Sequence, residues 1–204
     1  FSFTSDGDSV SVGNLGTNRS GVTGQNSDSS GYASGGTTST PSIPSVVNNI
    51  DKFPFSSDTN SVSVGTLSVT KRFAAPSSST TSGYTSGGGN ASPGYWVSNI
   101  DKFPFSSDTN ATSNASLVTP KDLLSGHSSD SHGYTSGGRT PGTTTAIDKF
   151  SFSADTNATD IGELTVNTGY STGISSDSFG YTAGNSGAPG PSTYEKFPFS
   201  SDTP

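Results

Sequence analysis

The sequence predicts an all-β chain of about four repeated four-stranded units with almost no helix. One phrase, Phe-x-Phe followed by a short polar stretch and Asp, occurs five times. The copies are Phe1-Ser2-Phe3, Phe53-Pro54-Phe55, Phe103-Pro104-Phe105, Phe150-Ser151-Phe152 and Phe197-Pro198-Phe199, with Asp6, Asp58, Asp108, Asp155 and Asp202 behind them. Ten of the 12 Phe sit in these pairs, so a chain that is only 26% hydrophobic concentrates its core formers there. The second Phe recurs at intervals of 52, 50, 47 and 47 residues, a period that belongs to repeated β-architectures. No window holds apolar residues at helical spacing over ten or more positions, and 26 Gly and 12 Pro interrupt every candidate helix.

Composition alone would also suit a Ser/Thr/Gly-rich disordered spacer. The fixed offsets of Phe pairs, Gly-Tyr and Gly-Gly argue for order, because a spacer has no reason to hold a register. The chain is read as a single repeat domain over 1–204, with units of approximately 1–52, 53–102, 103–149 and 150–196 and a terminal extra strand at 197–204.

Each unit is read in order from its Phe pair. Ile50-Asp51-Lys52-Phe53-Pro54-Phe55 alternates from Phe53 onward, with Ile50 one step out of phase. Successive strand residues face opposite sides, which puts Phe53 and Phe55 on one face, assigned to the core with Phe103, Phe105, Phe150, Phe152, Phe197 and Phe199. Val62-Ser63-Val64-Gly65-Thr66-Leu67-Ser68-Val69 is read as an alternating second strand. Its counterparts are Val10/Val12/Leu15, Leu117/Val118 and Ile161/Leu164/Val166. A Ser-rich stretch leads to Gly83-Tyr84-Thr85-Ser86-Gly87-Gly88, repeated from Gly31 and Gly133 and weakened from Gly180. The paired glycines suit positive φ at a strand end. Connectors of variable length, Thr37 to Asn49, Gly89 to Asn99, Arg139 to Ala146 and Ser186 to Thr193, return to the next Phe pair.

A strand ending in Gly-Gly, a loop and then an aromatic strand, repeated at about 50 residues, resembles the kelch repeat of β-propellers. Gly35-Gly36, Gly87-Gly88 and Gly137-Gly138 match its paired glycines, and Phe55, Phe105 and Phe152 match the aromatic that follows. Its downstream Trp is absent, with Leu15, Leu67, Leu117 and Leu164 in the nearest positions. The resemblance is to divergent, small-residue repeats found in phage and environmental microbial sequences. It implies a kelch-like propeller or open array with a surface or fibre role and no known chemistry.

The Phe-x-Phe strand occurs once more than the other motifs. The chain is then a window from a longer array, a ring with a redundant strand, or an array whose spare end, Tyr194 to Pro204, pairs with the next molecule.

Candidate chemistry is sparse. A net charge of −7 with scattered Lys and Arg argues against a nucleic-acid partner. No apolar run approaches a membrane span, and with no cysteine there is neither a disulfide framework nor a Cys-based metal site. Asp51-Lys52, Asp101-Lys102, Asp148-Lys149 and Glu195-Lys196 read as pairs between units or as solvated edge charges. Asp58-Thr59-Asn60, Asp108-Thr109-Asn110 and Asp155-Thr156-Asn157 read as turn formers, with Ca²⁺ ligation as the alternative. His127 and His132 read as exposed loop residues rather than parts of a metal or triad site. Asn18, Asn90, Asn110, Asn114 and Asn157 are glycosylation sequons if the protein is secreted. Tyr95, Trp96 and Tyr170 break the repeat and are the candidate ligand contacts.

The expected function is a structural or adhesive repeat protein, extracellular or on a virion surface. It would self-associate as an oligomer or filament, with no enzymatic activity and no required cofactor. The alternative is a module that binds a cell-surface glycan or receptor.

Overall fold

A computed structural model describes residues 6–38, 45–90, 95–184 and 193–199. Its strands are β1 (Arg19–Ser20), β2 (Thr23–Asn26), β3 (Ser30–Ser34), β4 (Thr37–Thr38), β5 (Ser45–Val46), β6 (Asn49–Pro54), β7 (Val62–Thr66), β8 (Ala75–Ser78), β9 (Ser82–Ser86) and β10 (Asn99–Pro104). They continue as β11 (Thr112–Ser116), β12 (Ser125–Ser128), β13 (His132–Ser136), β14 (Arg139–Thr140), β15 (Gly142–Ser151), β16 (Thr159–Thr168), β17 (Thr172–Ser175), β18 (Phe179–Ala183) and β19 (Tyr194–Pro198). The chain is all-β, and the described residues contain no helix.

Four antiparallel sheets follow one plan. Their strand orders are β2-β3-β6-β7, β8-β9-β10-β11, β12-β13-β15-β16 and β17-β18-β19. A three-stranded ribbon, β1-β4-β5, is added beside the first sheet. Each sheet therefore starts in the stretch before the Gly-Tyr strand, two strands earlier than the Phe pair. The strands β2, β8, β12 and β17 were not legible in the sequence, and packing explains why. A methyl on Gly126 would strike the carbonyl oxygen of Pro76, and one on Gly173 that of Gly126. These first strands lie backbone to backbone, leaving no room for a hydrophobic alternation. A rung of hydrogen bonds links them: Asn26 N–H to Ser78 Oγ (3.2 Å), Ser78 N–H to Ser128 Oγ (2.9 Å) and Ser128 N–H to Ser175 Oγ (3.0 Å).

The Gly-Tyr pair now has a physical reading. In every sheet the Gly lies opposite a Phe: Gly31↔Phe53, Gly83↔Phe103, Gly133↔Phe150 and Gly180↔Phe197. The Phe ring covers the glycine so closely that an added Cβ would come within 2.2–2.5 Å of its Cζ. The Tyr points the other way, into the following sheet. Tyr32 meets Phe103 and stacks on Phe105 at 4.9 Å. Tyr84 does the same with Phe150 and Phe152, and Tyr134 with Phe197 and Phe199. Three hydrophobic clusters result, one per junction, completed by Ile50 and Leu67, by Ile100 and Leu117, and by Ile147 and Leu164. The core lies between the sheets, as in stacked repeats whose stability is a sum of neighbour interfaces.

The first and last copies depart from the expected core. Phe1 and Phe3 lie outside the described residues, as does the terminal segment beyond Phe199. Phe55 is 56% exposed and Phe53 half-buried, because among the described residues no tyrosine of a preceding sheet covers them. Val10, Val12 and Leu15, read as a strand, have no ladder partner there. Phe197 is paired within its own sheet and buried against Tyr134, so Tyr194–Pro198 is a regular third strand rather than a spare one.

The out-of-phase Ile has a cause too. The ladder slips by one residue between Ile50 and Asp51, between Ile100 and Asp101, and between Ile147 and Asp148. A bulge sets one extra residue, Val64, Asn114 or Ile161, against each step. Along the Phe-pair strand itself the register is unbroken, so consecutive Ile and Asp are buried on opposite sides of the sheet, the Ile on the side of the Gly-Tyr tyrosine.

Candidate functional site

Three arrangements concentrate polar chemistry: a buried ion-pair row, a buried hydroxyl layer, and the two loop ends.

The ion-pair row uses the Asp of each Ile-Asp-Lys triplet. Asp51 pairs with Arg19 (2.9 Å), Asp101 with Lys71 (2.8 Å) and Asp148 with Lys121 (3.1 Å), all with side chains almost wholly buried. Lys71 also donates to the carbonyls of Asn99 (3.1 Å) and Thr85 (3.3 Å). Burial pushes the Lys71 ammonium below its ordinary range, partly offset by Asp101. Burial raises the Asp148 carboxyl, partly offset by Lys121. These Asp are thus internal struts, not solvated edge charges. The cations were overlooked in the sequence, although Arg19, Lys71 and Lys121 recur at intervals of 52 and 50 residues, the period of the repeat. The last sheet has Thr168 in the cation's place and Glu195 in the aspartate's, whose Oε2 accepts from Thr165 N–H at 2.6 Å.

The neighbouring Lys residues do bridge units. Lys52 reaches Asp108 (3.1 Å) and Lys102 reaches Asp155 (3.3 Å) across half-exposed junctions. Their Asp-Thr-Asn segments act as staples. Asn60, Asn110 and Asn157 accept through Oδ1 from the backbone N–H of Asn14, Thr66 and Ser116, at 3.0–3.1 Å. Among the described residues no group of three His, Cys, Asp or Glu could hold a metal ion.

In the hydroxyl layer, each first strand sends one side chain against the second strand of the next sheet. Gln25 donates to Thr85 Oγ1 (2.7 Å) and Tyr84 O (3.0 Å) and accepts from Ser34 (3.1 Å). The equivalent residue two sheets on is His127. It is 2% exposed, which overturns the expectation of a loop histidine. Its segment is strand β12, and the ring packs edge-on against Phe197 at 5.1 Å. Nδ1 lies 3.3 Å from the Ile174 carbonyl, so it carries the proton, and Nε2 accepts from Ser136 at 2.9 Å. His132 is half-buried beside Ser131.

Burial lowers His127 to about 4. An unfolded histidine titrates near ~6.5, so as pH falls the unfolded chain takes the proton first. The contribution of the neutral ring is complete above pH ~6.5 and is lost as pH falls toward about 4. The expected loss is about 3 kcal/mol, read as a drop in the denaturation midpoint. His127→Gln, which copies Gln25, should flatten the pH 4–7 profile; an unchanged slope counts against this assignment.

Between these two positions stands Ser77, too short to reach across. Its hydroxyl bonds the His127 carbonyl (3.0 Å), and Ser86 Oγ and Thr135 Oγ1 are buried with no hydrogen-bond partner. These are the counterparts of the atoms that Gln25 satisfies. Ser77→Gln should therefore raise stability by about 1 kcal/mol, measured by chemical denaturation.

One end of the molecule is formed by the turns after the first strands. Ser27, Ser79, Ser129 and Ser176 each cap their turn by accepting backbone N–H groups. The turns rim an open cleft of about 460 Å³, floored by the Ser78–Ser128–Ser175 rung and edged by Asp28, Asp130 and Asp177. At the opposite end, Gly21, Phe73, Leu123 and Tyr170 all take positive φ (64°, 54°, 59° and 58°). A belt of backbone hydrogen bonds imposes this: Phe73 to Gly21 (2.9 Å), Leu123 to Phe73 (2.9 Å) and Tyr170 to Leu123 (3.1 Å). Side chains rarely adopt this region, and the belt over-determines it.

The ligand candidates divide. Tyr95 is 67% and Tyr170 61% exposed. Trp96 is half-buried and donates through Nε1 to Asp122 (3.1 Å), which also holds Arg139 in a two-point ion pair. That hydrogen bond raises the Arg139 pKa further. Of the sequons, Asn18, Asn110, Asn114 and Asn157 are exposed, while Asn90 is half-buried and accepts from Thr70 (2.7 Å). No protein-family model matches the chain. No curated protein matches it either.

Proposed function

We propose that this chain is a structural and adhesive repeat protein, an extracellular or virion-surface scaffold that presents polar loops and associates with copies of itself. The observation that carries the reading is one junction, built three times around a tyrosine on a phenylalanine pair and a rung of serine hydroxyls, with an asparagine staple at the first two. The chain invests its phenylalanine pairs and tyrosines in stacking wherever two sheets meet. Such a body works by geometry, and we assign it no enzymatic role and no required cofactor. The first strands, gathered along a common cleft, favour a kelch-like propeller or open array. The exposed sequons would carry glycans in a secreting host that glycosylates.

Electron microscopy and sedimentation of the purified chain over a wide concentration range test this reading. Rings or filaments that grow with concentration are expected. A monomer at every concentration would defeat self-association.

A second reading is a glycan- or receptor-binding module. It is favoured by the exposed Tyr95 and Tyr170 at the same end as Trp96. It predicts sugar-dependent quenching of Trp96, the only Trp, and a silent response across a glycan panel sinks it.

A further inference from the structure

We infer that Val10–Leu15 of one copy forms the fourth strand of sheet β17-β18-β19 of a second copy, whose Tyr181 packs on Phe53 and Phe55 of the first. This rests on the self-associating reading above and gives it a surface and a register.

Residues 10–15 occupy the place of a fourth strand that has no sheet. Asn14 N–H donates to Asn60 Oδ1 (3.0 Å), and Ser61 N–H donates to the Asn14 carbonyl (3.0 Å). Thr66 makes the same two bonds with the following sheet, to Asn110 and from Ala111, and Ser116 makes them with Asn157 and Ala158. Gly13 meets Thr59 just as Gly65 meets Thr109. The counterparts of Leu15, which are Leu67, Leu117 and Leu164, are at most 5% exposed beneath their own sheets. Leu15 is only half-buried, and Val10 and Val12 are 76% and 50% exposed.

The last sheet lacks what this segment offers. Among the described residues β19 pairs only with β18, so its outer edge is open. Tyr194 stands where Ile50, Ile100 and Ile147 are buried, yet it is 74% exposed. Tyr181 is half-buried where Tyr32, Tyr84 and Tyr134 are covered by phenylalanine pairs. Among the described residues the one phenylalanine pair without a tyrosine is Phe53 and Phe55. The charges agree as well. Lys52 and Lys102 reach Asp108 and Asp155 of the next sheet, and the equivalent Lys196 would reach the exposed Asp58. Among the described residues the two surfaces stay apart within one chain, as the exposure of Phe55 and Tyr194 records. A second copy of this sequence presents the complementary segment in the required register. The contact is strand addition combined with face stacking, and it is head-to-tail, so it closes into a ring or runs as a filament.

The register follows from Val62↔Lys52, Ser63↔Asp51 and Gly65↔Ile50. It sets Val10 opposite Lys196, Ser11 opposite Glu195 and Gly13 opposite Tyr194. The chain has no cysteine, so engineered ones report cleanly. Directly opposite strand residues lie within disulfide reach. Mixing the Val10→Cys and Lys196→Cys variants under mild oxidation should give a linked heterodimer. Asp6→Cys with Lys196→Cys, out of register, should give little. Tyr181→Ala should weaken association about tenfold. Absence of the in-register link overturns the proposal. So does a double variant, Val10→Cys with Lys196→Cys, that links within single chains at high dilution. A wild-type chain that stays monomeric defeats the self-association reading and this proposal together. Assembly that persists without the Val10–Lys196 link defeats this interface alone.

Discussion

Phe103→Ala should lower the unfolding free energy by about 3–5 kcal/mol, the usual cost of deleting a buried aromatic ring. Phe103 is 2% exposed and does three things at once. It covers Gly83 on its own sheet, it faces Tyr32 of the preceding sheet at 5.4 Å, and it holds Phe105 edge-on at 5.9 Å. Glycine cannot close the gap from one side, and Tyr32 cannot from the other without leaving Phe105. Phe55→Ala is the control, since that ring is 56% exposed; its cost should stay below about 1 kcal/mol. Chemical denaturation of both variants reads the difference. Near-equal effects would show that the cores do not lie between the sheets. Changing Phe103 and Phe105 together should separate the first sheet from the rest, because these two rings carry that junction's aromatic contact.

Lys71→Ala should cost a similar amount, about 3–5 kcal/mol, because it strands a buried carboxylate. Asp101 would keep the hydrogen bond that Ser68 N–H donates to its Oδ1, at 3.3 Å. The carbonyls of Asn99 and Thr85 would lose the ammonium that now serves them. The double change Lys71→Met with Asp101→Leu should recover most of the loss, since replacing a buried pair by apolar residues of similar size is often neutral. The last sheet already does without this ion pair, with Thr168 and Glu195 in the two places. If the double variant is no better than Lys71→Ala, the ion pair acts through something other than mutual charge compensation. Together the two experiments separate the two materials of the stack. Aromatic rings hold sheet to sheet, and ion pairs tie each connecting segment to the sheet it enters.

Much of the architecture was legible in the residues. The Phe-pair segments from Phe53 onward, the Val62 and Ile161 segments and the Gly-Tyr segments form strands, while Val10–Leu15 has no ladder partner and Leu117 and Val118 lie just past β11; the paired glycines do take positive φ, as at Gly35 (63°) and Gly36 (108°). Gly36 N–H then donates to the Lys71 carbonyl (2.9 Å), as Gly88 does to Lys121. These features were readable because each depends on its own side chain: a ring needs a core, and a left-handed turn needs a glycine. The first strand of every sheet was not readable. Thr23–Asn26, Ala75–Ser78, Ser125–Ser128 and Thr172–Ser175 carry no hydrophobic alternation; the second and third are buried against neighbouring backbones rather than by apolar side chains, and the last is largely exposed. His127 was misplaced for the same reason.

The candidate sites were read less completely. Asp51, Asp101 and Asp148 were read as pairs between units or as solvated edge charges, without their cations, since those lie 27 to 32 residues away in another segment. Trp96 was noticed for being unique, and only the tertiary contact with Asp122 shows that its indole N–H is already engaged.

By itself the sequence determined the repeat, the all-β class and which aromatic residues would recur, because periodic side chains demand a periodic core. Only the tertiary structure decided where each sheet begins, which tyrosine meets which phenylalanine pair, and which faces of the first and last sheets are left uncovered. Those depend on how one sheet lies against the next. That relation is set by backbone approach at Pro76, Gly126 and Gly173, where small residues admit a neighbour without announcing it.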